Sequence, residues 1–183
     1  MKKYRVAMVV GSLRRESLNR KLSIALSRLA PANVEMTELQ IGDLPPYNQD
    51  DDNSPAAEVM RLKSEITASH GVIFLTPEYN RSIPGVLKNA LDHASRPYGK
   101  SVWAGKPAGL LGVSVGAIGT ATAQQHLRNI LAYLDMPTLG QPEVYLQAND
   151  KLFDASGSFG EGSLKFMQAW LDAYVKWLEE HAG

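Results

Sequence analysis

The chain has 183 residues, enough to enclose a core as one domain over 1–183 with no disulfide or metal to staple it. Its 19 Lys and Arg balance 19 Asp and Glu, so no global basic field draws nucleic acid or an anionic membrane, and no acidic excess marks a solvating tail; a small molecule is the expected partner. With no cysteine, a disulfide framework, thiolate catalysis and zinc sites built on Cys are excluded. The four histidines, His70, His93, His126 and His181, never stand at i, i+3 or i+4 from one another, so no metal centre is expected.

The opening MKKYRVAMVV reads as a first strand and not as a secretory leader. Arg5 interrupts it, the apolar run is short, and GSLRR follows where small neutral cleavage residues would stand. No window has the apolar length needed to span a bilayer, and a cytoplasmic location is expected. Further strands are predicted over 34–39, 71–76, 107–115 and 142–146. Between them the apolar residues repeat at helical spacing. Leu18, Leu22, Ala25, Leu26 and Leu29 form one face. A second helix has Ser54 as N-cap and Pro55 at its first position, and turns Val59, Leu62 and Ile66 inward. A third carries Val86, Leu87, Ala90, Leu91 and Ala94, and a fourth Leu127, Ile130, Leu131 and Leu134. The last buries Leu164, Met167, Leu171, Tyr174, Val175 and Leu178. Strands alternating with helices feed a parallel sheet. Five strands are too few for the six-stranded dinucleotide fold, so the predicted architecture is α/β: a flavodoxin-like three-layer sandwich whose five-stranded parallel sheet has the order 2-1-3-4-5. The acidic loop 42–54 with Asp50, Asp51 and Asp52, the connector 95–106 and the polar stretch 148–162 fit no element; they are read as lids or subunit contacts, the Asp run as a solvated turn.

In an open sheet of this kind ligands bind beyond the carboxyl ends of the strands, at the switch in strand order. Three loops end there, all built of Gly, Ser, Thr, Pro, Asn and aromatic residues. In Gly11–Ser17, the free N–H groups of a helix N-terminus and the donors Ser12, Arg14, Ser17 and Asn19 converge on one anion; the plain alternative is a strand-to-helix turn capped by Ser17 with both arginines in solvent. The spacing matches neither GxGxxG nor a nucleotide-triphosphate loop, which leaves a monophosphate. In Thr76–Pro84, Pro77 fixes the backbone, Tyr79 offers a flat face, and Glu78 and Asn80 offer polar edges, as a flat heteroaromatic ring needs; alternatively Tyr79 packs over the sheet edge and Asn80 caps a turn. In Ser114–Thr120 the glycines permit close approach of a ligand, or merely make a turn.

These residues resemble the NADPH-dependent FMN reductases, a family that includes the soluble quinone and chromate reductases of bacteria. The likeness lies in GSLRRESLN at 11–19, TPEYNRSIPGVLKNALD at 76–92 and GKPAGLLGVSVGAIG at 105–119. It implies that Ser12, Arg14, Ser17 and Asn19 hold the FMN phosphate, with Arg15 helping to neutralise it. It places Pro77, Glu78, Tyr79 and Asn80 along the isoalloxazine ring, with Ser114 and Gly116 completing the pocket. It further implies hydride transfer from NADPH or NADH through FMN to quinones, chromate or free flavin. The cofactor carries that chemistry, so no catalytic acid, base or nucleophile is required. Family resemblance also implies a homodimer or homotetramer; Arg128, Tyr133 and Trp103 are the candidate interface residues. Two other readings compete: a flavodoxin-type electron carrier that does not oxidise NAD(P)H, against which the neutral charge argues, and a flavin-free module using the same anion loop.

Overall fold

Strands that are apolar on both faces need cover on both. A computed structural model describes residues 2–182. The chain runs β1 (Tyr4–Val10), α1 (Leu18–Leu29), β2 (Val34–Glu38), α2 (Ala57–Ala68), β3 (Gly71–Leu75), α3 (Gly85–Ala94), β4 (Ala108–Ser114), α4 (Ala121–Tyr133), β5 (Tyr145–Gln147) and α5 (Glu161–His181). The sheet has the order β2-β1-β3-β4-β5 and is parallel throughout, as predicted. Val6, Met8, Val10, Ile73, Leu75, Leu111 and Val113 face α1 and α5. Ala7, Val9, Val72, Phe74 and Leu110 face α2, α3 and α4. No helix among the described residues is long and apolar enough to cross a membrane.

Several boundaries and placements differ from expectation. α2 begins at Ala57 behind Ala56, which makes no side-chain cap bond, so Ser54 and Pro55 lie outside the helix. β5 pairs only over 145–147; Pro142, lacking an N–H, cannot donate to a ladder. Leu164 is 41% exposed, on the solvent side of the first turn of α5. Trp103, read above as an interface residue, is fully buried beside Phe74, and its indole N–H donates to the Leu91 carbonyl at 3.1 Å. Loop 42–54 is fastened to α3: the Asn89 amide donates to the Pro45 carbonyl and accepts from the Tyr47 N–H, both at 2.8 Å, and Arg96 pairs with Asp52 at 3.3 Å. The stretch 148–162 is closed by stacked Phe153 and Phe159, and Arg28 of α1 holds the Ser156 carbonyl at 2.7 Å.

The α5 face holds one unusual group. Tyr174 is fully buried, stacked on Trp170, and its hydroxyl has no partner among the described residues. Gly71 and Gly109 make room for the ring: a Cβ at 109 would stand 2.7 Å from Tyr174 Cδ2, and one at 71 would stand 2.8 Å from its oxygen. Burial pushes the phenol far above its ordinary value of 10.0, so the folded chain keeps a proton that the unfolded chain releases near pH 10. The stabilisation from this group is complete below pH 10 and falls above it by about 1.4 kcal/mol per pH unit. Tyr174→Phe removes an unpaired buried hydroxyl and is expected to be as stable as the parent or more so by up to about 1 kcal/mol at pH 7. It should also lose less stability between pH 10 and 11.5 in denaturant titrations. A variant that is weaker at pH 7, or whose alkaline slope is unchanged, contradicts this account.

Candidate functional site

Where β1 ends, Gly11 donates its N–H to the Leu75 carbonyl at 2.8 Å, and the chain then leaves the sheet. A Cβ on Gly11 would stand 3.3 Å from Leu87 and 3.4 Å from Pro77, so glycine lets the first and second loops pack together. From Ser12 to Asn19 no backbone N–H has a partner among the described residues. The first turn of α1 holds no acidic side chain. Ser12 and Ser17 are buried, at 4% and 2% exposure. Ser17 is the N-cap, its oxygen accepting from the Arg20 N–H at 3.2 Å; that use leaves its O–H free to donate. Arg14 and Arg15 are exposed and form no ion pair among the described residues, whereas Arg20, one turn on, pairs with Glu38 of β2 at 2.9 Å. A row of free donors at a dipole's positive end, flanked by two guanidinium groups, forms a cradle suited to an anion.

Asn19 does something other than expected. Its amide donates to the Val113 carbonyl at 3.0 Å, and its oxygen accepts from the Val113 N–H at 3.1 Å. β3 pairs with β4 only as far as the bond from Thr76 to the Leu111 carbonyl. Two residues later Asn19 takes the position a strand would fill, tying α1 to β4. Its expected part in the phosphate site is therefore that of a brace.

The second loop is a tight hairpin. Tyr79 and Ser82 exchange both backbone bonds at 2.9 and 3.0 Å, and Asn80 and Arg81 have φ of 51° and 66°. Positive φ at both central positions is the mark of a type I′ turn, which accepts Asn readily; Arg there is strained. Tyr79 is 46% exposed, so its ring is not packed over the sheet edge. The Glu78 side chain bridges the hairpin and α4: Oε2 accepts from the N–H groups of Thr122 and Ala123 at 3.0 and 3.1 Å, while Oε1 pairs with Arg81 at 3.0 Å.

The glycines of the third loop separate into two kinds. A Cβ on Gly119 would stand 2.7 Å from the backbone of Tyr145, and one on Gly112 would collide with Thr120 and the Thr76 carbonyl; these serve packing. At Gly116 a Cβ would meet only the Ser114 hydroxyl, at 3.7 Å, so glycine there keeps space open. Ser114 itself donates back into the loop, to the Gly119 carbonyl. Hairpin and third loop bound a cleft of about 500 Å³ lined by Glu78, Asn80, Arg81, Ser114, Val115 and Gly116. The anion cradle lies beyond its edge, joined to it by the Gly11 to Pro77 and Asn19 to Val113 contacts. Outside the cleft lining, and singled out by no motif in the sequence, exposed His126 of α4 meets the Ser82 hydroxyl through Nδ1 at 3.0 Å. Among the described residues no metal-binding cluster occurs.

The model of the NADPH-dependent FMN reductase family matches residues 4–150. The chain belongs to that family. A 2-hydroxy-1,4-benzoquinone reductase of Burkholderia sp. is 48% identical over 177 residues, 96% of this chain and 97% of that protein. A quinone reductase of Pseudomonas putida is also 48% identical, over 96% and 95% of the two chains. The solved structure of FerB, a flavoenzyme NAD(P)H:(acceptor) oxidoreductase from Paracoccus denitrificans, superposes with TM-score 0.94 at 46% identity, covering 98% of this chain and all of that one. This FMN reductase family member is thus an oxidoreductase that uses FMN with NAD(P)H as cosubstrate. The free donors of the cradle and the open space at Gly116 fit that cofactor.

Removing the brace tests its structural part. Asn19→Ala is expected to lower stability by about 3 kcal/mol, since it deletes two hydrogen bonds and orphans both backbone groups of Val113. A loss under about 1 kcal/mol in urea melts would show that water replaces the amide freely and that Asn19 is available for ligand.

Proposed function

We propose that the cradle of Ser12, Arg14, Ser17 and the N–H groups through Asn19 holds the phosphate of FMN. Pro77, Tyr79 and Asn80, with Ser114 and Gly116 opposite, hold the ring, and the protein is a quinone reductase. The observation that carries this is the contrast between two helix N-termini. At α4 the donors are satisfied by Glu78. At α1 they are free, with two hydroxyls and two unpaired arginines around them. An anion is drawn to α1 and not to α4.

Bound FMN supplies the redox chemistry, accepting a hydride from NAD(P)H and returning two electrons to an acceptor. The chain's own residues orient and expose. Tyr79 gives an aromatic wall and Gly116 keeps the backbone low, while Arg81 at the rim is paired with Glu78. Val115 and Ile118, 79% and 48% exposed, make the adjoining surface apolar, which suits a flat quinone. The names of the relatives from Burkholderia and P. putida support that acceptor class. A ring with an accessible face would also serve chromate or free flavin. Self-association into a dimer or tetramer belongs to the same reading, as the family resemblance implies.

The deciding experiment loads the protein with FMN, desalts it and records the visible spectrum anaerobically. Retained flavin should bleach with NADPH and recover with a benzoquinone; flavin that stays oxidised would make the protein an electron carrier, and no retained flavin would overturn the site. In the same assay Arg14→Ala is expected to raise the FMN dissociation constant about tenfold or more, as loss of a charged hydrogen bond to phosphate implies, and an unchanged constant removes Arg14 from the cradle. Sedimentation at the monomer mass across a wide concentration range would refute self-association.

A further inference from the structure

The sequence pattern puts Glu78 beside the flavin, yet its carboxylate has other business. The side chain is only 8% exposed, and both oxygens are engaged: one on the two free N–H groups of α4, one on Arg81. Thr120, the N-cap of α4, makes no side-chain cap bond, and the first turn of α4 carries no acidic residue. The helix therefore takes its cap and its countercharge from a residue that lies in another loop, more than forty positions away. From the hairpin's side, two consecutive residues at positive φ, one of them Arg, must be held by their surroundings. Glu78 immediately precedes the hairpin, and its Oε1 fixes the guanidinium of the strained Arg81. A second tie, from Ser82 to His126 on the same helix, closes the other end of the turn.

We infer that Glu78 is the positioning residue of the ring loop: it locks the Tyr79–Ser82 hairpin to the start of α4, so that the two walls of the cleft move as one body, and it does so by reach and hydrogen bonding, without touching the ring. This inference rests on the flavin reading above for its consequence in activity, but the lock itself is independent of any cofactor. Loss of the lock leaves the phosphate cradle intact, because that cradle lies on α1 and is braced separately by Asn19.

The test compares Glu78→Gln, Glu78→Asp and Glu78→Ala. Gln keeps an oxygen at the same reach, retains the bonds to Thr122 and Ala123, and loses the charge toward Arg81 and the helix dipole. Asp keeps the charge but is one methylene too short. Without any flavin, amide hydrogen exchange by NMR should show the Thr122 and Ala123 N–H groups protected in the parent and in Gln, and unprotected in Asp and Ala. With FMN bound, the visible circular dichroism of the flavin should weaken toward that of free FMN in Asp and Ala. The kcat with NADPH and a benzoquinone should fall about tenfold or more in those two, as misplacement of a positioned group implies, and about threefold in Gln, as loss of a helix-terminal charge implies. The ratio of riboflavin to FMN dissociation constants, which reads the phosphate cradle, should stay within about threefold of the parent in all three, since no phosphate contact is removed. Apo-protein melting curves confirm that each variant is folded; should Ala not fold, the Asp and Gln pair carries the test. Equal exchange of the two amides in parent and Ala overturns the lock. Asp behaving like the parent while Gln falls with Ala overturns positioning in favour of a direct charge on the ring. A collapse of the riboflavin to FMN ratio overturns the separation of ring loop from cradle. A parent protein that neither binds FMN nor bleaches would fault the flavin reading and leave the exchange result standing.

Discussion

Parallel strands that end at different heights leave backbone groups to be satisfied, and the site follows from how that is done. β3 stops pairing at Leu75 while β4 continues to Ser114, so the space above β3 is open on one flank. An Asn side chain fills the missing pairing at Val113, and because that Asn belongs to the first turn of α1, the helix start is pinned over the gap. This junction ties the start of α1 to β4, while the hairpin is held separately on α4 by Glu78. A buried backbone N–H and C=O cannot be left bare, which is why a polar residue sits in an otherwise apolar layer.

Charge is sorted with the same economy. Each helix follows a parallel strand and begins at this end of the sheet, and positive dipole ends close together would compete for one anion. Glu78 satisfies α4, whereas α1 carries no acid in its first turn and keeps its donors free. Most other arginines are engaged: Arg20 with Glu38, Arg61 with Asp43 and Glu65, Arg81 with Glu78, Arg96 with Asp52. Arg14 and Arg15 have no counter-ion among the described residues and lie beside the free donors of α1. In a chain of zero net charge, local sorting of this kind, and not a global field, makes the start of α1 suited to an anion.

Much of the architecture was legible because it depends on periodicity. Runs apolar on both faces gave five parallel strands, and helical spacing gave the five helices between them. What was not legible depends on partners distant in sequence. Asn19 and Val113 are 94 positions apart, and Glu78 is 44 and 45 from the amides it caps; an Asn or Glu in a ligand-like motif looks the same whether it meets a ligand or the chain. Trp103 sits in a connector without periodicity, so its burial against Phe74 had no local signature. Ser54 and Pro55 have the chemistry of a helix start, yet the chain runs on through loop 42–54, fastened to α3, before α2 begins. The third loop shows the same limit, since Gly112, Gly116 and Gly119 are identical letters and only the surroundings separate those that pack from the one that keeps space open.

On the proposed reading the phosphate end of the cofactor rests on the start of α1 and not on that of α4. Amide chemical shifts followed by NMR during titration of the apo protein with FMN test it most directly. The account expects the N–H signals from Ser12 to Leu18 to move downfield and saturate together, with those of Thr122 and Ala123 remaining bonded to Glu78 and shifting little. Large shifts at Thr122 and Ala123 with a silent Ser12–Leu18 segment would place the anion on the wrong helix and contradict the account.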